Sequence, residues 1–274
     1  MKDKVCLITG ATGGIGKATA IALARLGATV VLACRNRERG EAARSEVISL
    51  TGNPAVDLLL VDLASQASIH QFAADFNEAH DHLDVLINIA GVYKAQRETT
   101  PDGLERMFAV NHLGPFLLTN LLLDKLIASA PSRVLVVTAP STVELDFDDL
   151  QGGRRFRSLR AFGASKMGNL LFTYELANRL EGTGVTANAV HPGLVKSQLM
   201  QEAPRLLRWL TRISSAAPGK AADWLAWLAS SPEVAGVTGK FFKDGKEMES
   251  SPYSYEKVVQ ERLWDRSAAL ARLS

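Results

Sequence analysis

The residues Thr9-Gly10-Ala11-Thr12-Gly13-Gly14-Ile15-Gly16 follow an apolar run and open a segment of helical period. Glycine at these spacings does specific work. Gly10 and Gly14 let the backbone turn tightly and approach a pyrophosphate, and Gly16 lets the helix pack close to the strand. The candidate phosphate cradle is Thr9, Gly10, Thr12, Gly14, Ile15 and Gly16. A structural turn without a ligand is the plainer alternative. The next apolar run ends Ala33-Cys34-Arg35-Asn36. An acidic residue there would accept from a ribose 2′-hydroxyl and repel a 2′-phosphate. Arg35 can instead pair with a 2′-phosphate through a charge-assisted fork, and Asn36 stands beside it. The expected cofactor is therefore NADP(H). Arg35 as a solvated surface arginine is the competing account, and Arg37 and Arg39 read as helix-start charges.

These residues need a frame, and the pattern supplies one. Apolar runs Val5–Thr9, Thr29–Cys34, Ala55–Asp62, Val85–Ala90, Arg133–Thr138 and Val185–His191 alternate with helical patterns. The helical patterns are Gly16–Leu26, Arg37–Leu50, Ser65–Ala79, Gly103–Ile127 and Phe162–Leu180. Continuous apolar strands separated by helices predict a parallel sheet covered on both faces. The expected fold is α/β: a doubly wound, Rossmann-type, three-layer αβα single domain over residues 1–274, with ligands beyond the carboxyl ends of the strands. Residues 197–217 include the amphipathic stretch Arg205–Ile213. They are expected to form a lid over a substrate pocket, with a membrane-surface patch as the alternative.

The 274 residues carry a net charge of +2, which gives no reason to expect nucleic acid. Cys6 and Cys34 fall in strand-like runs and read as buried thiols, and no Cys/His cluster has metal-ligand spacing. No apolar run is long enough to span a bilayer and no signal peptide precedes the first strand, so a cytoplasmic location is expected.

Along nearly its whole length the chain resembles the short-chain dehydrogenase/reductase family, in particular its retinol-dehydrogenase-like and protochlorophyllide-reductase-like branch. The resemblance rests on Thr9–Gly16, Cys34-Arg35-Asn36, Val61-Asp62-Leu63, Asn88-Ile89-Ala90-Gly91, Val110-Asn111-His112-Leu113-Gly114, Ser165-Lys166, Leu171–Ala177, His191-Pro192-Gly193, Gly239–Glu247 and Leu263-Trp264. It implies that Asp62 and Leu63 flank the adenine. Asn88, Ala90 and Gly91 would line the cofactor wall, and Pro192, Gly193 and Val195 the nicotinamide end. Lys166 would bond the nicotinamide ribose, and Asn111 would anchor a water chain leading to Lys166. Asn88 and Asn111 as backbone caps remain the alternative. The resemblance also implies a homodimer paired through helices at Gly103–Ile127 and Phe162–Leu180.

The family pattern breaks at the chemistry. Family enzymes use a serine and a Tyr-x-x-x-Lys pair, in which the lysine lowers the tyrosine pKa and the phenol moves the proton. Here Phe162 holds the tyrosine position in Ala161-Phe162-Gly163-Ala164-Ser165-Lys166, and Ala139 holds the serine position. Of the catalytic set Lys166 and Asn111 remain. Thr138, Ser141, Tyr93, His112, His191, Glu144 and Asp146 are the nominees for a substitute acid. A positioned acid is typically worth about 10²–10⁴-fold, and one oxyanion donor about 10²–10³-fold. The leading expectation is an NADP(H)-dependent oxidoreductase acting on a hydrophobic carbonyl or unsaturated small molecule without the usual hydroxyls. A non-redox enzyme (a cyclase, isomerase or dehydratase) and a catalytically silent NADP(H) sensor are the alternatives.

Overall fold

The computed structural model describes residues 1–195, 199, 202 and 217–273. The lid expected at 197–217 falls almost entirely outside the described residues.

Six parallel strands form the centre: β1 (Val5–Thr9), β2 (Thr29–Cys34), β3 (Val56–Leu60), β4 (Val85–Asn88), β5 (Ser132–Val137) and β6 (Val185–His191). Parallel β7 (Phe241–Lys243) and antiparallel β8 (Lys246–Glu247) extend one edge. The order β3-β2-β1-β4-β5-β6-β7-β8 reverses direction between β1 and β4. That is the switch point at which a doubly wound sheet opens a crevice beyond its strand ends. Buried Val, Ile and Leu on both faces explain why β1, β2 and β4 read as continuous apolar runs.

Helices cover both faces, as a parallel sheet requires. On one side lie α1 (Gly14–Arg25), α2 (Arg37–Thr51) and α8 (Pro218–Ser230), over a core that includes Ile8, Leu23, Leu32, Val47, Ile87 and Leu225. On the other lie α3 (Gln66–Ala79), α4 (Arg106–Phe108), α5 (Gly114–Leu121), α6 (Leu123–Ala128), α7 (Ser158–Arg179) and α9 (Lys257–Ala271).

The helix expected over Gly103–Ile127 is four pieces. Gly103 takes a left-handed φ of 80°, a bridge joins Thr99 to Glu105, and a π-helical turn, Ala109–Leu113, joins α4 to α5. Glu105 starts the run by accepting from Met107 N and Phe108 N at 2.9 and 2.7 Å. A wider π turn commonly marks a functional position, and this one carries Asn111. Helix α7 starts at Ser158, one turn before the expected Phe162.

Helix α9 packs on α7 and α5. Trp264 meets the rings of Phe116 and Phe172 at centroid distances of 5.0 and 5.9 Å, and the Arg179 guanidinium lies 4.3 Å from the Trp264 ring centroid. The two helices through which pairing between copies was expected thus carry a helix of their own chain. Among the described residues no helix is long and apolar enough to cross a membrane, and no group of three His, Cys, Asp or Glu side chains is placed to hold a metal ion.

Candidate active site

The candidate residues gather at the carboxyl ends of the parallel strands. Gly10 ends the β1 turn with φ 70°, and a Cβ there would stand 3.0 Å from Cα and N of Ala90 at the end of β4. Thr9 Oγ1 accepts from Ile89 N and Ala90 N at 3.0 and 3.2 Å, which fixes the two strand ends together. Gly14 begins α1 with φ 53°. Gly16 is the most tightly packed glycine of this turn, since a Cβ on it would lie 2.3 Å from Gly10 O. The glycine thus presses the helix onto the turn that leads into it, not onto the strand. Helix α1 has no side-chain N-cap and no acidic residue in its first turn. Its N–H groups and its dipole are therefore left for an anion, with Thr12 and Ile15 half-buried beside them.

At the end of β2, Arg35 is exposed. The Asn36 side chain caps α2 by accepting from Arg39 N at 2.8 Å, which is local structural work. Gly40 in the same helix leaves room for Cys34 Sγ, which a Cβ would meet at 2.6 Å. Burial pushes the Cys34 thiol up, so it stays protonated. Asp62 Oδ1 accepts from Ala64 N at 3.0 Å, and Leu63 is buried beside it. Asn88 Nδ2 donates to Thr119 Oγ1 at 3.1 Å, while its Oδ1 is buried without a partner. Ala90 and Gly91 are half-buried, as are Pro192, Gly193 and Val195 beyond β6.

Asn111 is fully buried in the π turn. Its Nδ2 donates to Val92 O at 2.9 Å and to Ser165 Oγ at 3.0 Å, and its Oδ1 accepts from Val92 N at 2.7 Å. The side chain therefore clamps the segment after β4 to α7. The same bonds fit the structural role that the sequence left open. Ser165 Oγ donates onward to Phe162 O at 2.7 Å.

Lys166 lies one turn after Phe162 on α7. Its Nζ stands 5.4 Å from the Phe162 ring centroid, and burial pulls its pKa down to about 8. Among the described residues no carboxylate offsets that burial. Phe162 in turn meets Tyr93 edge-on, at 5.6 Å between centroids. Tyr93 and Met107 pack with Val92, Phe156, Ala161 and Phe162 in an apolar cluster.

The nominated substitute acids are mostly committed elsewhere. Thr138 Oγ1 donates to Lys166 O at 2.9 Å, and Ser141 Oγ donates to Gly163 O at 2.8 Å. Tyr93 is buried and donates to Ser158 Oγ at 2.9 Å. His112 Nε2 and Ser267 Oγ lie 2.8 Å apart on the side facing α9. Burial brings His112 down to about 4, so the ring is neutral. His191 keeps a buried Nδ1 without a partner, next to Phe241, and burial lowers its pKa also. Glu144 and Asp146 are exposed. Sequence reasoning missed Leu199, which would come within 3.8 Å of a Cβ on Gly91, and Glu202, whose carboxylate lies 2.6 Å from Lys94 Nζ. Only the tertiary fold brings those pairs together.

A glycine turn at the switch point of a doubly wound sheet, with a bare helix N-terminus facing it, defines a dinucleotide-binding α/β protein. More particularly, the chain belongs to the short chain dehydrogenase family, which matches residues 4–206. Family members bind a nicotinamide cofactor and act as oxidoreductases. Among curated proteins the chain is similar to human retinol dehydrogenase 13, at 42% identity over 98% of this chain and 85% of that one. It is 42% identical to human retinol dehydrogenase 14 over 100% and 88% of the two chains. With mouse retinol dehydrogenase 12 it shares 44% identity over 97% and 86%. Among solved structures, an uncharacterized protein from Mycobacterium paratuberculosis superposes with a TM-score of 0.81 at 30% identity, covering 99% of this chain and 94% of that one. Pseudomonas aeruginosa RhlG, solved as an NADP active-site complex, gives 0.72 at 25% identity, covering 89% and 96%.

Proposed function

We propose that the protein is an NADP(H)-dependent oxidoreductase that reduces a hydrophobic carbonyl or unsaturated small molecule without a Ser/Tyr hydroxyl pair. The observation that carries this reading is Lys166: a buried ammonium with no partner among the described residues, beside an apolar ring. A charge removed from water at that cost needs a ligand to justify it, and a ribose hydroxyl pair is the ligand the family supplies.

The residues present fit the cofactor. The Gly10–Ala90 approach would be filled by any side chain, and the free N–H groups of α1 suit a pyrophosphate. Arg35 would pair with the 2′-phosphate. Asp62 and Leu63 would border the adenine, Asn88, Ala90 and Gly91 the central wall, and Pro192, Gly193 and Val195 the nicotinamide. When bound, the cofactor supplies a hydride. Lys166, next to Phe162, holds a proton with a pKa of about 8, and its charge stabilises an anion that develops nearby. Asn111 keeps the wall and α7 at fixed separation. The apolar cluster of Tyr93, Met107, Phe156 and Phe162 favours an apolar substrate. Loss of the phenol costs least where the acceptor is a conjugated C=C bond, because carbon protonation can follow in a separate step.

The test is NADPH oxidation against panels of hydrophobic aldehydes, ketones and enones, with the Ala139→Ser/Phe162→Tyr variant in parallel. Turnover of enones by the parent, with ketone and aldehyde reduction rising at least 100-fold in the variant, is the expected result. Tight NADPH binding with no turnover on any panel would assign the silent, NADP(H)-sensing role instead. Product formation that persists after cofactor removal would assign a non-redox reaction.

A further inference from the structure

The burial and isolation of Lys166 also suit a second kind of chemistry, one that needs no cofactor. Its side chain is 7% exposed, and among the described residues its Nζ makes no hydrogen bond and no ion pair. Among the described residues, three features near it are apolar or already bonded. The Phe162 ring is 5.4 Å away, Ser165 Oγ donates to Phe162 O, and Thr138 Oγ1 donates to the main-chain O of Lys166 itself. Ala139, between Thr138 and Ser141, brings no hydroxyl. The amine is thus held on a rigid helix with its lone pair or third proton uncommitted. Desolved lysines in apolar surroundings are the ones that act as nucleophiles.

We propose that Lys166 is also a carbonyl-capturing amine, which forms a reversible Schiff base with small hydrophobic aldehydes. The lone pair of Nζ forms a bond to the carbonyl carbon, and the carbonyl π pair moves to oxygen. Nζ loses a proton and the oxygen gains one, giving a carbinolamine. The C–O bond then breaks, oxygen leaves as water with a second proton, and a C=N bond remains. Amine and aldehyde give imine and water, with no oxidant or reductant. The face of the Phe162 ring favours the protonated iminium as it favours the ammonium.

The magnitudes separate this amine from the rest of the surface. With a pKa near 8, about a quarter of Lys166 is free amine at pH 7.5, against about one part in a thousand for an ordinary exposed lysine. That contrast offsets its restricted access. A tyrosine hydroxyl at position 162 would give the amine a neighbour to bond, so the same substitution that removes the redox acid leaves the nucleophile unpartnered. This inference does not rest on the hydride reading. The two uses of Nζ exclude one another at any instant, because the cofactor ribose would occupy the same amine.

The experiment uses the intact protein without added nucleotide, incubated at pH 7.5 with hexanal and sodium cyanoborohydride, which fixes any imine as a stable amine. Peptide mass mapping then follows each lysine with time. The expected result is adduct on Lys166 accumulating at least tenfold faster than on Lys220 and Lys257, whose side chains are 71% and 74% exposed. Lys166 labelling no faster than those two overturns the proposal, and no variant needs to fold for that outcome. Fast adduct at the same rate in total mass, persisting in Lys166→Arg, overturns it as well. NADPH affinity measured on the same preparation reports on the oxidoreductase reading separately. Fast capture without NADPH binding would uphold the amine chemistry and remove the hydride reading.

Discussion

Nζ of Lys166 stands 5.4 Å over the ring of Phe162, one turn earlier on α7, with no carboxylate among the described residues to balance its charge. Its pKa falls from 10.5 to about 8 because burial penalises the charged form. Between those values the unfolded chain binds the proton and the folded chain does not. The burial cost is therefore fully present below pH 8 and is relieved as pH rises toward 10.5. Lys166→Met should raise the stability of the cofactor-free protein near pH 7 by about 3 kcal/mol. Urea midpoints measured from pH 7 to 10.5 should show that gain shrinking toward zero. A gain independent of pH would show that packing, not charge, is responsible.

His112 gives a second titration of the opposite practical consequence. It is fully buried, and its pKa is lowered from 6.5 to about 4. The groups that face it are uncharged: Ser267 on α9 and Asn169 on α7. Stability from this residue is present above pH 6.5 and is lost as pH falls through 4. Between pH 7 and pH 4 the parent should lose about 3 kcal/mol more than a His112→Asn variant, whatever the variant's starting stability. Parallel denaturant curves at the two pH values decide it, and equal losses would sink the assignment.

Gly16→Ala tests the packing of the phosphate turn. A Cβ would lie 2.3 Å from Gly10 O and 2.8 Å from Gly10 C, both backbone atoms that cannot rotate away. Overpacking of this kind costs about 1–3 kcal/mol. The variant should melt several degrees lower and lose most of its NADPH affinity. A Gly13→Ala control, where a Cβ meets nothing within 4 Å, should change stability far less.

Arg35→Asp tests the choice of nucleotide. A hydrogen bond to a charged partner contributes about 1.5–3 kcal/mol, which corresponds to about 10–100-fold in affinity. NADPH binding should weaken by that factor while NADH binding improves, as read by nicotinamide fluorescence titration. Unchanged NADPH affinity would show that Arg35 is only a solvated surface charge.

The parts of the fold that were legible before the structure are those whose partners are close in sequence or buried on both faces. β1, β2 and β6 begin and end as their apolar runs do. β7 and β8 were not, because Phe241–Lys243 is three residues long and gains its meaning only from pairing with Ala189–His191. The Asp244-Gly245 turn between them was the local signal available. The break at Asn111 was hidden for a related reason: every residue from Met107 to Thr119 is buried, so no polar face marks where one helix becomes another. At the site, Lys166, Phe162 and the glycine turn could be placed from motif spacing. The commitments of Asn111, Ser141, Thr138 and Tyr93 could not, since each bonds an atom 19 to 65 residues away.

Helix α9 follows every strand in the chain, yet its Ser267 and Trp264 brace the turn beside Asn111 and the helix that carries Lys166. The glycine turn and the six central parallel strands all precede, in chain order, the hydroxyl that His112 meets. Ending the chain before Trp264 would therefore remove both braces, Ser267 from His112 and Trp264 from Phe116 and Phe172, while leaving the glycine turn and the central strands in the sequence.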